Sequence, residues 1–260
     1  PISPPSIEGR SKISTVLKKL VEIESINFNC IRNDYTLLRY ACETNEIEVV
    51  EKLIKMDKVD VNVTSHLSGD TPLMISILND NLKISELLIK CDRTNINQRN
   101  KENESPLKIC ARKNLIEIID LLINDKKFDP IESCLHEAFY LSSDEVSEKL
   151  ISIKNAGESS LGSRISDFEL ISAFENKDAH IVKLLIESDK VDINQKYNEN
   201  LTALILAVQL NKIEIVDLLI KSEKFDASKS LLDYAFYLSS IEIAKKLISV
   251  KKDERGGEET

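Results

Sequence analysis

Tryptophan is absent from this sequence, histidine occurs three times, and glycine and proline only six times each. So few glycines, none grouped after a strand pattern, leave no loop that could cradle phosphate. Aromatic residues make up 5% of a chain that is 42% hydrophobic, so any core is aliphatic. No stretch of eighteen apolar residues occurs, which excludes a sequence signal for a membrane-spanning helix. No secretory signal pattern is present. The five cysteines lack paired spacing. They read as reduced thiols packed like small apolar side chains, which suits a cytoplasmic or nuclear compartment. His66, His136 and His180 share no metal-ligand spacing, and no Ser, Cys or His cluster suggests a nucleophile. Carboxylates are plentiful but interleaved with lysine, as in Glu46, Glu48, Glu51 and Lys52, the pattern of a solvated helix face. No catalytic, cofactor or metal site is expected, and the chain is not expected to be an enzyme. The net charge of −9 disfavours nucleic acid and anionic membranes and favours, mildly, a protein partner with basic patches.

What the sequence has is a recurring pattern, cleanest from Thr202 to Phe225. Leu204, Ala207 and Val208 share one helix face, and Ile215, Val216, Leu219 and Ile220 form a second stripe beyond Asn211-Lys212. Helices this short are marginal in isolation and must bury their faces elsewhere. With Thr202 as position zero, position two is Leu in seven places: Leu38, Leu73, Leu107, Leu135, Leu170, Leu204 and Leu232. Positions seventeen and eighteen read Leu-Ile in the same seven units, from Leu53-Ile54 to Leu247-Ile248. Position thirteen is always Val or Ile, and position five is small, as at Ala41, Ser76, Cys110 and Ala138. Leu and Ile fill the space between helix layers, and the small residue lets helices approach.

The zero positions are 36, 71, 105, 133, 168, 202 and 230, so most units are 34 or 35 residues long and two are 28. A period near thirty-three with a turn and two helices resembles the ankyrin repeat. The T-P-L-H-x-A motif of that family appears as Thr71-Pro72-Leu73-Met74, Ser105-Pro106-Leu107-Lys108 and Ser133-Cys134-Leu135-His136-Glu137-Ala138. Its D-V-N signature appears as Asp60-Val61-Asn62, Asn95-Ile96-Asn97 and Asp192-Ile193-Asn194. The resemblance implies an all-α solenoid of helix-turn-helix units joined by short hairpin loops, about seven and a half repeats over 13–252. The half repeat is 13–29, and whole repeats begin near 30, 65, 99, 131, 162, 196 and 228. It also implies a structural hydrogen bond for His136.

Residues 1–12 are expected to be a disordered tail; Ile7-Glu8-Gly9-Arg10 matches a protease-cleavage tetrapeptide of engineered fusions, or coincides with it. With no initiator methionine, the chain is expected to be part of something longer. Residues 13–29 carry only the second helix of a unit and read as an N-terminal cap. Thr71 and Ser105 are N-cap residue types with proline following at N1. Asn45, Asp80, Asn114 and Asn211 stand where the family has glycine and are expected to take the left-handed conformation. The units beginning at 133 and 230 lack about six residues, the length of a hairpin finger, and both read Ala-Phe-Tyr-Leu-Ser-Ser. Ser142 with Glu145, and Ser239 with Glu242, have capping-box spacing. Zero positions 71, 105 and 133 become 168, 202 and 230 on adding 97, so a three-repeat block is used twice. Residues 155–166 read as a hinge or a long finger. The last residues, 253–260, are expected to fray.

Function follows from the resemblance. A family member of this kind binds a protein partner with finger tips and first-helix edges that line a concave surface. The corresponding tips here are Arg32, Asn33, Tyr35, Leu67, Ser68, Asp70, Lys101, Glu102, Glu104, Asn198, Glu199 and Leu201. The helix edge, at positions seven and eight, offers Glu43, Thr44, Leu78, Asn79, Arg112, Lys113, Glu175, Asn176, Gln209 and Leu210. Tyr140 and Tyr237 also fall at position seven. They either form equivalent partner pockets or fill the space of the missing finger. The chain is expected to be a monomeric scaffold or adaptor; the alternatives are a regulatory module of a longer protein and a purely structural spacer.

Overall fold

A computed structural model describes residues 15–23, 27–29, 36–129, 133–154, 170–171, 173–174, 179–188, 191–197 and 201–256, with side chains at 136, 152–154 and 249–256 left aside. The expectations for 1–12, 155–166, 257–260 and the His136 side chain lie outside this set. Regular structure among the described residues is helical, apart from an isolated bridge at Leu201. The helices pair as α1 (Leu37–Glu43) with α2 (Ile47–Ile54), α3 (Pro72–Leu78) with α4 (Leu82–Lys90), and α5 (Pro106–Lys113) with α6 (Ile116–Ile123). Next come α7 (Leu135–Leu141) and α8 (Asp144–Lys154), then α9 (Ala179–Glu187). The chain closes with α10 (Ala203–Gln209) and α11 (Ile213–Lys221), then α12 (Leu232–Leu238) and α13 (Ile241–Gly256).

Local chemistry explains the helix boundaries. Thr36, Thr71, Ser105 and Thr202 each accept a bond from the backbone N–H three residues on, at 3.1–3.3 Å. Pro72 and Pro106 open their helices, where a missing N–H goes unneeded. Asn45, Asp80, Asn114 and Asn211 all have φ between 53° and 62°, as the turn required. In each case the next N–H returns to the carbonyl of the small position-five residue: Ala41, Ser76, Cys110 or Ala207. This closes the first helix in the Schellman manner.

The chain divides into two compact units, Pro1–Ala138 and Phe139–Thr260. In the first, α1, α3 and α5 pack in succession, as do α2, α4 and α6. In the second, α8, α9, α11 and α13 pack in succession, and α10 packs on α12. The buried residues are those of the repeat pattern, among them Leu38, Leu73, Leu107, Leu204 and Leu219.

An asparagine ladder joins neighbouring repeats. The Asn29 amide donates to Lys58 O at 2.7 Å while its Oδ1 accepts from Asp60 N at 2.8 Å. Asn62 does the same to Arg93 O and Asn95 N, both at 2.8 Å. Asn97 bonds Lys127 O at 2.6 Å and Asp129 N at 3.1 Å, and Asn194 bonds Lys224 O at 2.6 Å and Asp226 N at 2.9 Å. Each side chain thus satisfies one acceptor and one donor of the next turn. The two finger-less junctions add a further bond. Ser133 Oγ donates to Asn97 Oδ1 at 2.5 Å, and Ser230 Oγ to Asn194 Oδ1 at 2.6 Å. Ser133 O accepts from Ser105 Oγ at 2.5 Å, and Ser230 O from Thr202 Oγ1 at 3.0 Å. The residues that follow, Cys134 and Leu231, both take left-handed φ, 56° and 57°. The 97-residue duplication therefore extends to individual hydrogen bonds.

Two details differ from expectation. Ser142 and Ser239 do not head the second helix; their hydroxyls donate back to Phe139 O and Phe236 O, both at 2.8 Å. The cap bond of α8 runs from Val146 N–H to Ser143 Oγ at 3.4 Å. A hydroxyl so close to the end of the preceding helix reaches a carbonyl of its last turn, which also accepts the serine's own N–H at 3.3 and 3.2 Å. Helix α13 also continues past 252 to Gly256, because no helix breaker intervenes before that glycine.

Candidate protein interface

The edge of the first helices is built by the Schellman turn. Because the chain reverses at position nine, positions seven and eight project beyond the packed core. They are exposed in α1, α3, α7, α10 and α12, and in α5 Arg112 is exposed while Lys113 is half-buried. At these positions Leu78 is the exposed large apolar side chain of the first unit, and Tyr140, Leu141, Leu210, Tyr237 and Leu238 are those of the second. Leu141 and Leu238 were missed in the sequence reading, although they follow the two tyrosines directly.

Tyr140 and Tyr237 do not fill the space left by the missing finger. Tyr140 is exposed and Tyr237 is 84% exposed. Glu43, Thr44, Asn79 and Gln209 are exposed too, Thr44 Oγ1 being bonded to Tyr40 O at 2.8 Å and the Asn79 amide to Ile75 O at 2.8 Å.

The finger tips of the second and third repeats are locked to one another. Ser65 N donates to Asp70 O at 3.0 Å and Asn100 N to Glu104 O at 3.0 Å, each closing its own hairpin. Lys101 N donates to Ser68 O at 2.9 Å, the Lys101 ammonium to His66 O, and the Asn100 amide to Asp70 Oδ1 at 2.8 Å. Gly69, at φ 77°, permits this approach, since a Cβ there would sit 2.9 Å from Lys101 N. Asp70 and Glu104 are buried. Glu104 accepts a two-point contact from Arg112, at 2.5 and 3.4 Å. Lys113 reaches Leu78 O and Asp80 Oδ1, both at 2.7 Å. These residues, chosen for their positions, already serve the array, and a partner would have to exchange their bonds. Leu67, by contrast, is 82% exposed at its tip, and Lys101 and Glu102 are exposed beside it. Leu201 is half-buried and its carbonyl accepts from Tyr197 N at 2.9 Å. Arg32, Asn33, Tyr35, Glu175, Asn176, Asn198 and Glu199 lie outside the described residues.

One set of residues was visible in the sequence and overlooked. Position twenty-two is basic in six of seven units: Lys58, Arg93, Lys127, Lys190, Lys224 and Lys252. Arg93 donates to Ile54 O and Val59 O, both at 2.7 Å. Lys127 reaches Ile89 O and Cys91 O at 2.7 and 2.8 Å, and Lys224 reaches Ile186 O and Ser188 O at 3.1 and 2.6 Å. Each cation satisfies the carbonyl end of the preceding second helix and complements its dipole.

No group of three or more potential metal ligands occurs among the described residues. The described cysteines are free thiols, and burial pushes the Cys42 and Cys110 thiols up, away from the nucleophilic thiolate. No helix among the described residues is long and apolar enough to cross a membrane.

Comparison with known proteins agrees with this architecture. The profile of the family described as Ankyrin repeats (3 copies) matches residues 10–100, 38–134 and 170–255, and the chain belongs to the ankyrin-repeat family. Ankyrin repeats are in general protein–protein interaction modules. The chain is 26% identical over 102 residues to Alpha-latroinsectotoxin-Lt1a of Latrodectus tredecimguttatus; the match covers 39% of this chain and 7% of the toxin. The crystal structure of the ankyrin repeat domain of Bcl-3, a member of the IkappaB protein family, superposes with a TM-score of 0.67 at 16% identity. It covers 85% of this chain and all of that one, a likeness of fold. The ankyrin repeat protein EF0377 gives 0.45 at 20% identity over the same shares of both chains.

Proposed function

We propose that this chain is a scaffold or adaptor that binds a protein partner through the first-helix edge of each of its two units, with the tip around Leu67 as a further point of contact. The observation that carries the reading is the concentration of exposed Leu and Tyr at positions seven and eight. Folding gains nothing from apolar side chains held in water at a regular edge, whereas an interface gains anchors there. The acidic balance of the chain favours a partner that presents basic patches around an apolar strip. A cytoplasmic or nuclear setting suits the free thiols, and no catalytic role is assigned.

Co-purification from cell extract tests this. A Leu78→Glu/Leu210→Glu variant should lose the captured protein while keeping its helical circular dichroism, and Glu117→Lys, on an exposed second helix, should retain it. Equal capture by both variants would remove this edge from the binding surface. Reversing Arg112 and Lys113 is expected to weaken capture less, because both are already paired within the array.

A second reading is a regulatory or targeting module of a longer protein whose effector lies outside this chain. The toxin match favours it, since the chain spans 7% of that relative. An immunoblot of the source cells with antibody against the array separates the two: a single band near 29.4 kDa supports the adaptor, and a much larger one the module.

A further inference from the structure

The two copies of the three-repeat block differ along the first-helix edge. Leu78-Asn79 of the first corresponds to Glu175-Asn176 of the second, and Arg112-Lys113 to Gln209-Leu210. The finger-less repeats keep their pair. Tyr140-Leu141 and Tyr237-Leu238 both stand in Ala-Phe-Tyr-Leu-Ser-Ser, the longest stretch that the copies share unchanged. Part of that identity serves the fold. Ala138 and Ala235 are buried, and the Ser142 and Ser239 hydroxyls donate to Phe139 O and Phe236 O. The tyrosine and the leucine do neither. Tyr140 and Leu141 are 44% and 43% exposed, and Tyr237 and Leu238 84% and 36%. The exposure belongs to the position. Helix α9 packs on α8 beyond Tyr140, and positions seven and eight are exposed in α1, α3 and α10 as well. Apolar side chains held in water, and kept where the other edge pairs changed, point to a common contact outside the chain.

The shared charges indicate what that contact is. Both repeats carry an exposed glutamate four residues beyond the leucine, Glu145 and Glu242. Neither carboxylate has an ion partner among the described residues, and Lys246, one turn on from Glu242, is taken by Asp217 at 2.5 Å. A tyrosine ring and an unpaired carboxylate both favour a cation, and the leucine favours an apolar neighbour. We propose that the second unit, which contains both repeats, has two equivalent sites, and that each takes the same kind of short protein segment: an apolar residue beside an arginine or lysine. This rests on the first-helix edge as the binding surface and makes the chain divalent there. A partner that carries two such segments gains avidity without any new contact.

Photo-crosslinking of the full chain in cell extract tests it, with p-benzoylphenylalanine in place of Leu141 or of Leu238. Peptide mapping should place both adducts on the same protein, in segments that hold an apolar residue beside Arg or Lys. The crosslinked segment, made as a synthetic peptide, should titrate in calorimetry with two sites per chain. Tyr140→Ser or Tyr237→Ser should leave one site, and the two together none. Glu145→Gln with Glu242→Gln should weaken binding about threefold at low salt. Adducts on different proteins, adducts on acidic segments, an adduct from one position only, or one site per chain would overturn the proposal. If Leu78 and Leu210 crosslink while Leu141 and Leu238 do not, the edge stands and the paired sites fall; no adduct from any of the four removes both. Tyr140→Ala with Tyr237→Ala should leave the urea midpoint unchanged, and a large drop would make the rings structural and overturn the proposal as well.

Discussion

Asn194 shows how single residues carry the array. Its amide spans Lys224 O and Asp226 N, and its Oδ1 also accepts the Ser230 hydroxyl. Replacing it with alanine strands these groups at a half-buried junction. Asn194→Ala should lower stability by about 1–3 kcal/mol, read by urea denaturation. Ser230→Ala, which removes one of these bonds, should cost less than Asn194→Ala. The sequence reading recognised this asparagine as part of a family signature without seeing what it does. Its partners are main-chain groups some thirty residues away, and a main-chain group leaves no mark in a sequence. The left-handed turns were legible for the opposite reason. There the requirement falls on the residue itself, and Asn or Asp at the glycine position announces it.

At the scale of the helix, the ends matter more than the middles. Lys127 sits in the carbonyl end of α4, and Lys127→Met should cost about 1–2 kcal/mol and lower Tm, since the methionine keeps the stem but removes the cation from Ile89 O and leaves Cys91 O with the Thr94 N–H alone. The surface of α4 titrates separately. Glu86 lies between Lys83 and Lys90, whose hydrogen bonds pull its carboxyl down to about 2. Its stabilising effect should be fully present above pH 4.5 and fade as pH falls toward 2. Glu86→Gln should therefore flatten the acid limb of the stability curve slightly, and 1 M salt should have the same sense of effect. The helices themselves were readable almost residue by residue because apolar periodicity sets them. The capping role of Ser142 was misread because two adjacent serines separate α7 from α8, and spacing alone cannot say which one closes the first helix and which opens the second.

At the scale of the whole chain, each helix pair depends on its neighbours. Leu219 is buried in α11, which packs against both α9 and α13. Leu219→Asp buries an unpaired carboxylate there and should cost upwards of about 4 kcal/mol. Circular dichroism should then show loss of helix beyond α11 itself; a variant that keeps full helicity would contradict the stacked arrangement. Family membership accounts for this dependence and leaves the choice of partner to the exposed edge. The sequence could locate that edge, because the repeat fixes where positions seven and eight fall. It could not tell which of these residues are consumed by contacts within the array: Asp70 is held by Asn100 of the next finger, and Glu104 by Arg112 of the same repeat. The most direct test of the account places a photo-crosslinking amino acid at Leu78 or Leu210 on the edge and at Glu117 or Glu214 on exposed second helices, in cell extract. The account predicts a discrete protein adduct from the first two positions and none from the second two. Adducts confined to Glu117 and Glu214, or equal at all four, would contradict it.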